Sequence, residues 1–200
     1  LATKNYKDAI TSIEKIKTKT PTILKAYQRV TYYRGLELFN NLAYNQSIEY
    51  FDLSLINGSQ DRTINALALF WKAEALYRVG DYNSAINSYT KFLSATGASA
   101  LPEYSSAEYN LAYSYFKLED YDAATTHFKK YLTATKNTRT EKQADALNRI
   151  GDYYFLNTDY TQAIQNYQQA FGMKIYEADY ALYQIAVCKG IQRNQQGKIE

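Results

Sequence analysis

One phrase returns five times along this chain at almost fixed intervals: an aromatic residue, two variable ones, a small residue and then, in four of the five copies, isoleucine. It runs Tyr6 to Ile10, Tyr44 to Ile48, Tyr82 to Ile86, Tyr121 to Thr125 and Tyr160 to Ile164. The small residues Ala9, Ser47, Ala85, Ala124 and Ala163 stand 38, 38, 39 and 39 residues apart. A unit this short cannot bury its apolar face alone, so recurrence at such a period implies stacked copies with a continuous core between them.

Each phrase opens one helix of a pair. In the repeat around Tyr82, 66–77 is an amphipathic run, 78–81 a break and 82–93 a second run. Gly80 suits the left-handed residue that ends a helix, and Asp81 offers an oxygen to the free amides opening the next. Similar breaks recur at 117–120 and 156–159. Small residues at Ala73, Ala112 and Gly151 let the first helix approach its partner, where Ala85, Ala124 and Ala163 answer; a large side chain at either place overpacks the crossing. The chain is predicted to be all-α, an α-solenoid of tandem antiparallel helix pairs running as one array over 1–200. Four complete pairs cover 28–55, 66–93, 105–132 and 144–171. A second helix without its first occupies 1–20, and a first helix without its second 179–192. Neither end reads as a polar cap, so the sequence reads as a piece of a longer array.

Composition fits. The chain has 22 tyrosines, one tryptophan and only two prolines, which favours long helices over many short strands. A net charge of +3 with no basic run longer than a pair argues against a nucleic-acid partner. No apolar run approaches the ~20 residues of a membrane span, so direct membrane insertion is not expected. The lone cysteine, Cys188, has no internal disulfide partner and reads as a small buried hydrophobe. The one histidine, His127, precedes the core position Phe128 and is expected at the surface. No Cys/His cluster has zinc spacing and no glycine-rich loop suits a phosphate. The chain therefore does not read as an enzyme, and no metal or cofactor is expected.

These positions together resemble the tetratricopeptide repeat family. The match includes the aromatic opening the second helix, the small residue three on, and the large apolar residue four beyond that (Phe51, Tyr89, Phe128, Tyr167). Departures are Ser47 for the usual alanine, Leu42 where glycine is common, and a period four or five residues above the family's usual of about 34. The resemblance implies a right-handed solenoid whose first helices line a concave, partner-binding face. On those helices a stripe at i, i+4 and i+7 reads Tyr32, Leu36, Phe39; then Phe70, Glu74, Tyr77; then Tyr109, Tyr113, Phe116; then Asn148, Asp152, Phe155; and Tyr183 opens a fifth. Arg78 and Lys117 edge it and favour a partner carrying carboxylates. The expected function is a scaffold or adaptor holding a protein or peptide in this aromatic groove. Alternatives are a regulatory input module of a larger signalling protein and a glycan-binding helical-repeat lipoprotein. Similarity to bacterial envelope proteins with aromatic-rich repeats of this longer period favours the periplasm or outer membrane over the cytoplasm. On this reading, alanine at Phe70, Tyr109 and Tyr113 removes partner capture and leaves helicity intact.

Overall fold

A computed structural model describes residues 5–196, with side chains to residue 194. Residues 1–4 and 197–200, assigned above to the two ends of the array, lie outside the described residues. Among the described residues there are ten α-helices and no strand: α1 (Tyr6–Glu14), α2 (Pro21–Asn40), α3 (Tyr44–Ile56), α4 (Arg62–Val79), α5 (Tyr82–Leu93), α6 (Glu103–Lys117), α7 (Tyr121–Ala134), α8 (Glu141–Leu156), α9 (Tyr160–Met173) and α10 (Ala178–Gln196). They form two compact units, Leu1–Ser114 and Tyr115–Glu200, with the division inside α6. In the first unit α2 packs on α3, α3 on α4 and α4 on α5; in the second α7 packs on α8, α8 on α9 and α9 on α10. This succession of neighbouring hairpins is the α-solenoid pattern.

The first helices begin earlier than the apolar periodicity alone suggests, and their caps explain why. Thr20 caps α2 with Pro21 behind it, and Asp61 caps α4 through a 3.2 Å bond from the Ile64 amide. Thr140 and Gln143 form a reciprocal capping box that opens α8.

The repeated aromatic has a structural purpose. The ring that opens each second helix meets, edge-on, the ring at the i+7 position of the preceding first helix. Phe39–Tyr44, Tyr77–Tyr82, Phe116–Tyr121 and Phe155–Tyr160 stand 5.2, 5.4, 5.3 and 5.7 Å apart, with interplanar angles of 62–68°. The edge of one ring against the face of the next is the favoured geometry for π quadrupoles, so each pair closes its hairpin the same way.

Behind the closure lies the crossing. Ser47, Ala85, Ala124 and Ala163 are buried as expected, whereas Ala9 on α1 is exposed. Two first-helix glycines lie directly against buried rings of the second helix. A Cβ on Gly35 would stand 2.6 Å from the Phe51 ring, and one on Gly151 would stand 2.5 Å from the Tyr167 ring. Both rings are wholly buried, so neither can yield.

The breaks share one backbone solution with different side chains. Leu42, Gly80, Glu119 and Thr158 have φ of 62°, 87°, 61° and 59°. Only glycine enters this region without steric cost. After three of these breaks the aspartates Asp81, Asp120 and Asp159 cap α5, α7 and α9 by accepting from the third amide of each helix at 3.0–3.1 Å. At the first break Ala43 holds the same backbone conformation with no side-chain cap. The double substitution Leu42→Gly, Ala43→Asp should therefore raise stability by about 2 kcal/mol, half from relieved backbone strain and half from the new cap. Leu42 is 71% exposed, so no packing is lost. Urea unfolding checks this, and an unchanged midpoint would refute it.

Candidate partner-binding site

The last turns of α4 and the middle of α6 enclose a cavity of about 200 Å³. Glu74, Tyr77 and Arg78 come from α4 and Tyr109, Asn110 and Tyr113 from α6, with Tyr89 of α5 at the base. Their spacing puts them on one face of each helix. Glu74 organises the floor: its Oε1 accepts from the Tyr89 hydroxyl and from Asn110 Nδ2. Tyr89 is fully buried, and its phenol pKa is driven well above the ordinary value of 10, first by burial and then by the Glu74 charge. The hydroxyl is thus a fixed donor. Tyr109 and Tyr113 cross edge to face at 5.1 Å, and Arg78 stands exposed at the rim.

The stripe predicted from sequence divides by position. Three of the i residues, Tyr32, Phe70 and Asn148, are buried, whereas Tyr109 is half-buried at the cavity and Tyr183 is exposed. Tyr32 and Phe70 are only 4% and 5% exposed, which corrects their assignment to the groove. Both turn toward the second helix of their own pair: Tyr32 stands 6.2 Å from Phe51, and Phe70 stands 6.1 and 5.4 Å from Tyr89 and Phe92. The expectation that alanine at Phe70 spares the fold falls with it. The i+7 residues Phe39, Tyr77, Phe116 and Phe155 are half-buried in the hairpin closures described above. The i+4 residues Leu36, Glu74, Tyr113 and Asp152 are likewise half-buried. Lys117 is exposed at the end of α6, and Tyr183 is 66% exposed on α10. Trp71 packs at a helix contact, its ring 5.2 Å from Phe39. Cys188 is buried, and burial raises its thiol pKa. His127 is not at the open surface: it is half-buried and stacked on Tyr115 at 5.5 Å.

The second unit repeats the floor of this cavity with its acid already occupied. Asp152 Oδ1 accepts from the hydroxyls of Tyr167 at 2.7 Å and Tyr180 at 2.6 Å, and its Oδ2 accepts from Arg149 Nη1 at 2.7 Å. Arg149 also reaches Glu177 at 3.2 Å and Asp145 at 3.4 Å, and lies 5.6 Å from the Tyr180 ring centroid. This acid–tyrosine pairing is what the single-helix stripe could not reveal. Its signal is nevertheless in the sequence: fifteen residues after Glu74 and Asp152 stand Tyr89 and Tyr167, whereas fifteen after Leu36 and Tyr113 stand Phe51 and Phe128.

Asn148 departs from its counterparts. The corresponding residues are Tyr32, Phe70 and Tyr109, yet Asn148 is a fully buried amide whose Nδ2 and Oδ1 have no hydrogen-bond partner among the described residues. Unpaired buried polar atoms cost about 1–3 kcal/mol. Asn148→Leu, close in size, should stabilise by that amount and raise Tm by roughly 2–4 °C per kcal/mol. A calorimetric scan showing a lowered Tm would count against it.

Among the described residues no helix is long and apolar enough to cross a membrane, and no group of acidic, histidine or cysteine side chains could hold a metal. Family models for the tetratricopeptide repeat match residues 66–98 and 103–175, together more than half of the chain. The chain is a tetratricopeptide repeat protein. No curated protein matches it in sequence. Among solved structures it is similar to MamA (TM-score 0.67, 19% identity, covering 84% of this chain and 85% of that one). It is also similar to YrrB, described as a TPR protein with an unusual peptide-binding site (TM-score 0.68, 15% identity, 96% and 85% covered). A third is BtubC from P. vanneervenii (TM-score 0.64, 14% identity, 96% and 83% covered). At these identities the likeness is one of fold.

Proposed function

We propose that this protein is a protein-interaction scaffold, and that in its first unit a partner chain or peptide is held at the tyrosine-lined cavity between α4 and α6. The repeat family and its structural neighbours support the scaffold role. One observation carries the choice of site: Glu74, Tyr77, Arg78, Tyr109 and Tyr113 converge on one solvent-open cavity. Tyrosine supplies contact area with little rotamer entropy to lose, and Tyr and Arg are enriched among binding hot spots. Aromatic-rich repeats of a longer period, resembling those of bacterial envelope proteins, support the bacterial envelope as the compartment, which fractionation of the source cell tests.

The test of the site is capture from the source organism's lysate by wild type and by Tyr77→Ala, Tyr113→Ala, with circular dichroism confirming that the variant is folded. A partner retained by the wild type should fall about tenfold or more in the variant, as expected when hot-spot rings are removed. Equal recovery would move the contact surface elsewhere on the molecule.

A further inference from the structure

We infer that the α4–α6 cavity takes a basic side chain of the partner, arginine in preference to lysine. The inference rests on the reading of that cavity as a contact site and reverses the polarity expected from Arg78 and Lys117. The cavity lining combines a half-buried carboxylate with four tyrosines. Both hydrogen bonds to Glu74 fall on Oε1, so Oε2 receives none from the described residues. A carboxylate with a free oxygen in a tyrosine-lined cavity is complementary to a guanidinium, which donates in its plane and stacks on aromatic rings.

The same chain shows this pairing completed. Two repeats on, Asp152 and Tyr167 occupy the places of Glu74 and Tyr89, and the Tyr167 hydroxyl donates to Asp152 in the same manner. There the remaining carboxylate oxygen holds the Arg149 guanidinium at 2.7 Å, 5.6 Å from a tyrosine ring centroid. In the earlier repeat the place of Arg149 is taken by Trp71, so the chain supplies no cation from that position. The partner supplies it. Arg78 opposes a second cation only weakly, because it is exposed and screened, whereas Glu74 acts from a half-buried position.

The experiment titrates the full chain into short fluorescent peptides identical except for a central arginine, lysine, citrulline or glutamate. Citrulline keeps the shape of arginine without its charge, so the comparison leaves the protein unaltered. The arginine peptide should bind about tenfold or more tightly than the citrulline and glutamate peptides. Glu74→Gln, which can still accept from Tyr89, should erase that difference, and Arg78→Gln, which removes an opposing cation, should widen it. Equal affinity for arginine and citrulline peptides overturns the inference, as does no measurable binding of the arginine peptide at millimolar protein. So does tightest binding of the glutamate peptide with loss in Arg78→Gln. If lysate capture still depends on Tyr77 and Tyr113 while arginine and citrulline bind alike, the contact site stands and this ligand assignment falls.

Discussion

Tyr167→Ala should destabilise the protein by about 3–5 kcal/mol, the range for deleting a large buried ring. The Tyr167 ring is wholly buried in the core of the second unit, with Ala163, Ala170, Ile185 and Cys188 in the same cluster. Across the crossing it lies against Gly151, which has no side chain to swing into the void. The hole therefore persists. Tyr167→Phe separates ring from hydroxyl: it keeps the packing and removes only the 2.7 Å bond to Asp152, at about 1.5–3 kcal/mol for a bond to a charged acceptor. Burial first, and then the Asp152 charge, raise the Tyr167 phenol pKa above the ordinary value of 10. Since the folded state holds the proton more tightly, this stability is fully present below pH ~10 and is lost as pH rises toward the folded value. Wild type should thus show a steeper alkaline loss of stability than Tyr167→Phe. Urea unfolding at neutral and alkaline pH reads both effects, with more than one transition allowed for in a repeat array. A loss below about 1 kcal/mol in Tyr167→Ala would mean the ring does not hold the core of the second unit together.

What could be read from the sequence, and what could not, follows from which distances are local. Gly80–Asp81 announces a helix end and the next helix start within two residues, and the structure has both there. Leu42–Ala43 makes the same turn with neither signal, and only the repeat register points to it. Periodicity along one helix finds the apolar and aromatic face, which is why Tyr32, Phe70 and Tyr109 emerge as one stripe. It cannot say how deep each ring goes, because depth depends on the neighbouring helix. Phe70 lies deep because Tyr89 and Phe92 stand across from it. The closure rings Phe39 and Tyr44, though near in sequence, meet only because the turn between them reverses the chain. Charge inside the cavity is non-local for a related reason. Arg78 is conspicuous in the sequence, but Glu74 and its donors Tyr89 and Asn110, brought together from α5 and α6, set the chemistry inside the cavity.

Glu74→Leu should cost about 1–3 kcal/mol, because it strands the fully buried Tyr89 hydroxyl without an acceptor. Tyr89→Phe alone should cost about 1.5–3 kcal/mol, the range for a hydrogen bond to a charged acceptor. The double variant should recover most of either loss, giving a coupling of at least 1 kcal/mol in a double-mutant cycle. The protein provides the template for that outcome: its first repeat has Leu36 and Phe51 at these two places, with the Phe51 ring fully buried. An apolar pair is thus a workable solution at this crossing, and replacing a buried polar pair by an apolar one of similar volume is often neutral. Stability alone gives no reason to keep a carboxylate there; recognition of a cation does. The double variant should therefore unfold near the wild-type urea midpoint and yet fail to distinguish arginine from citrulline peptides. Strictly additive losses would show that Glu74 and Tyr89 do not act as a unit. Retained discrimination in the double variant would show that the carboxylate is structural and that the tyrosine faces alone select the ligand.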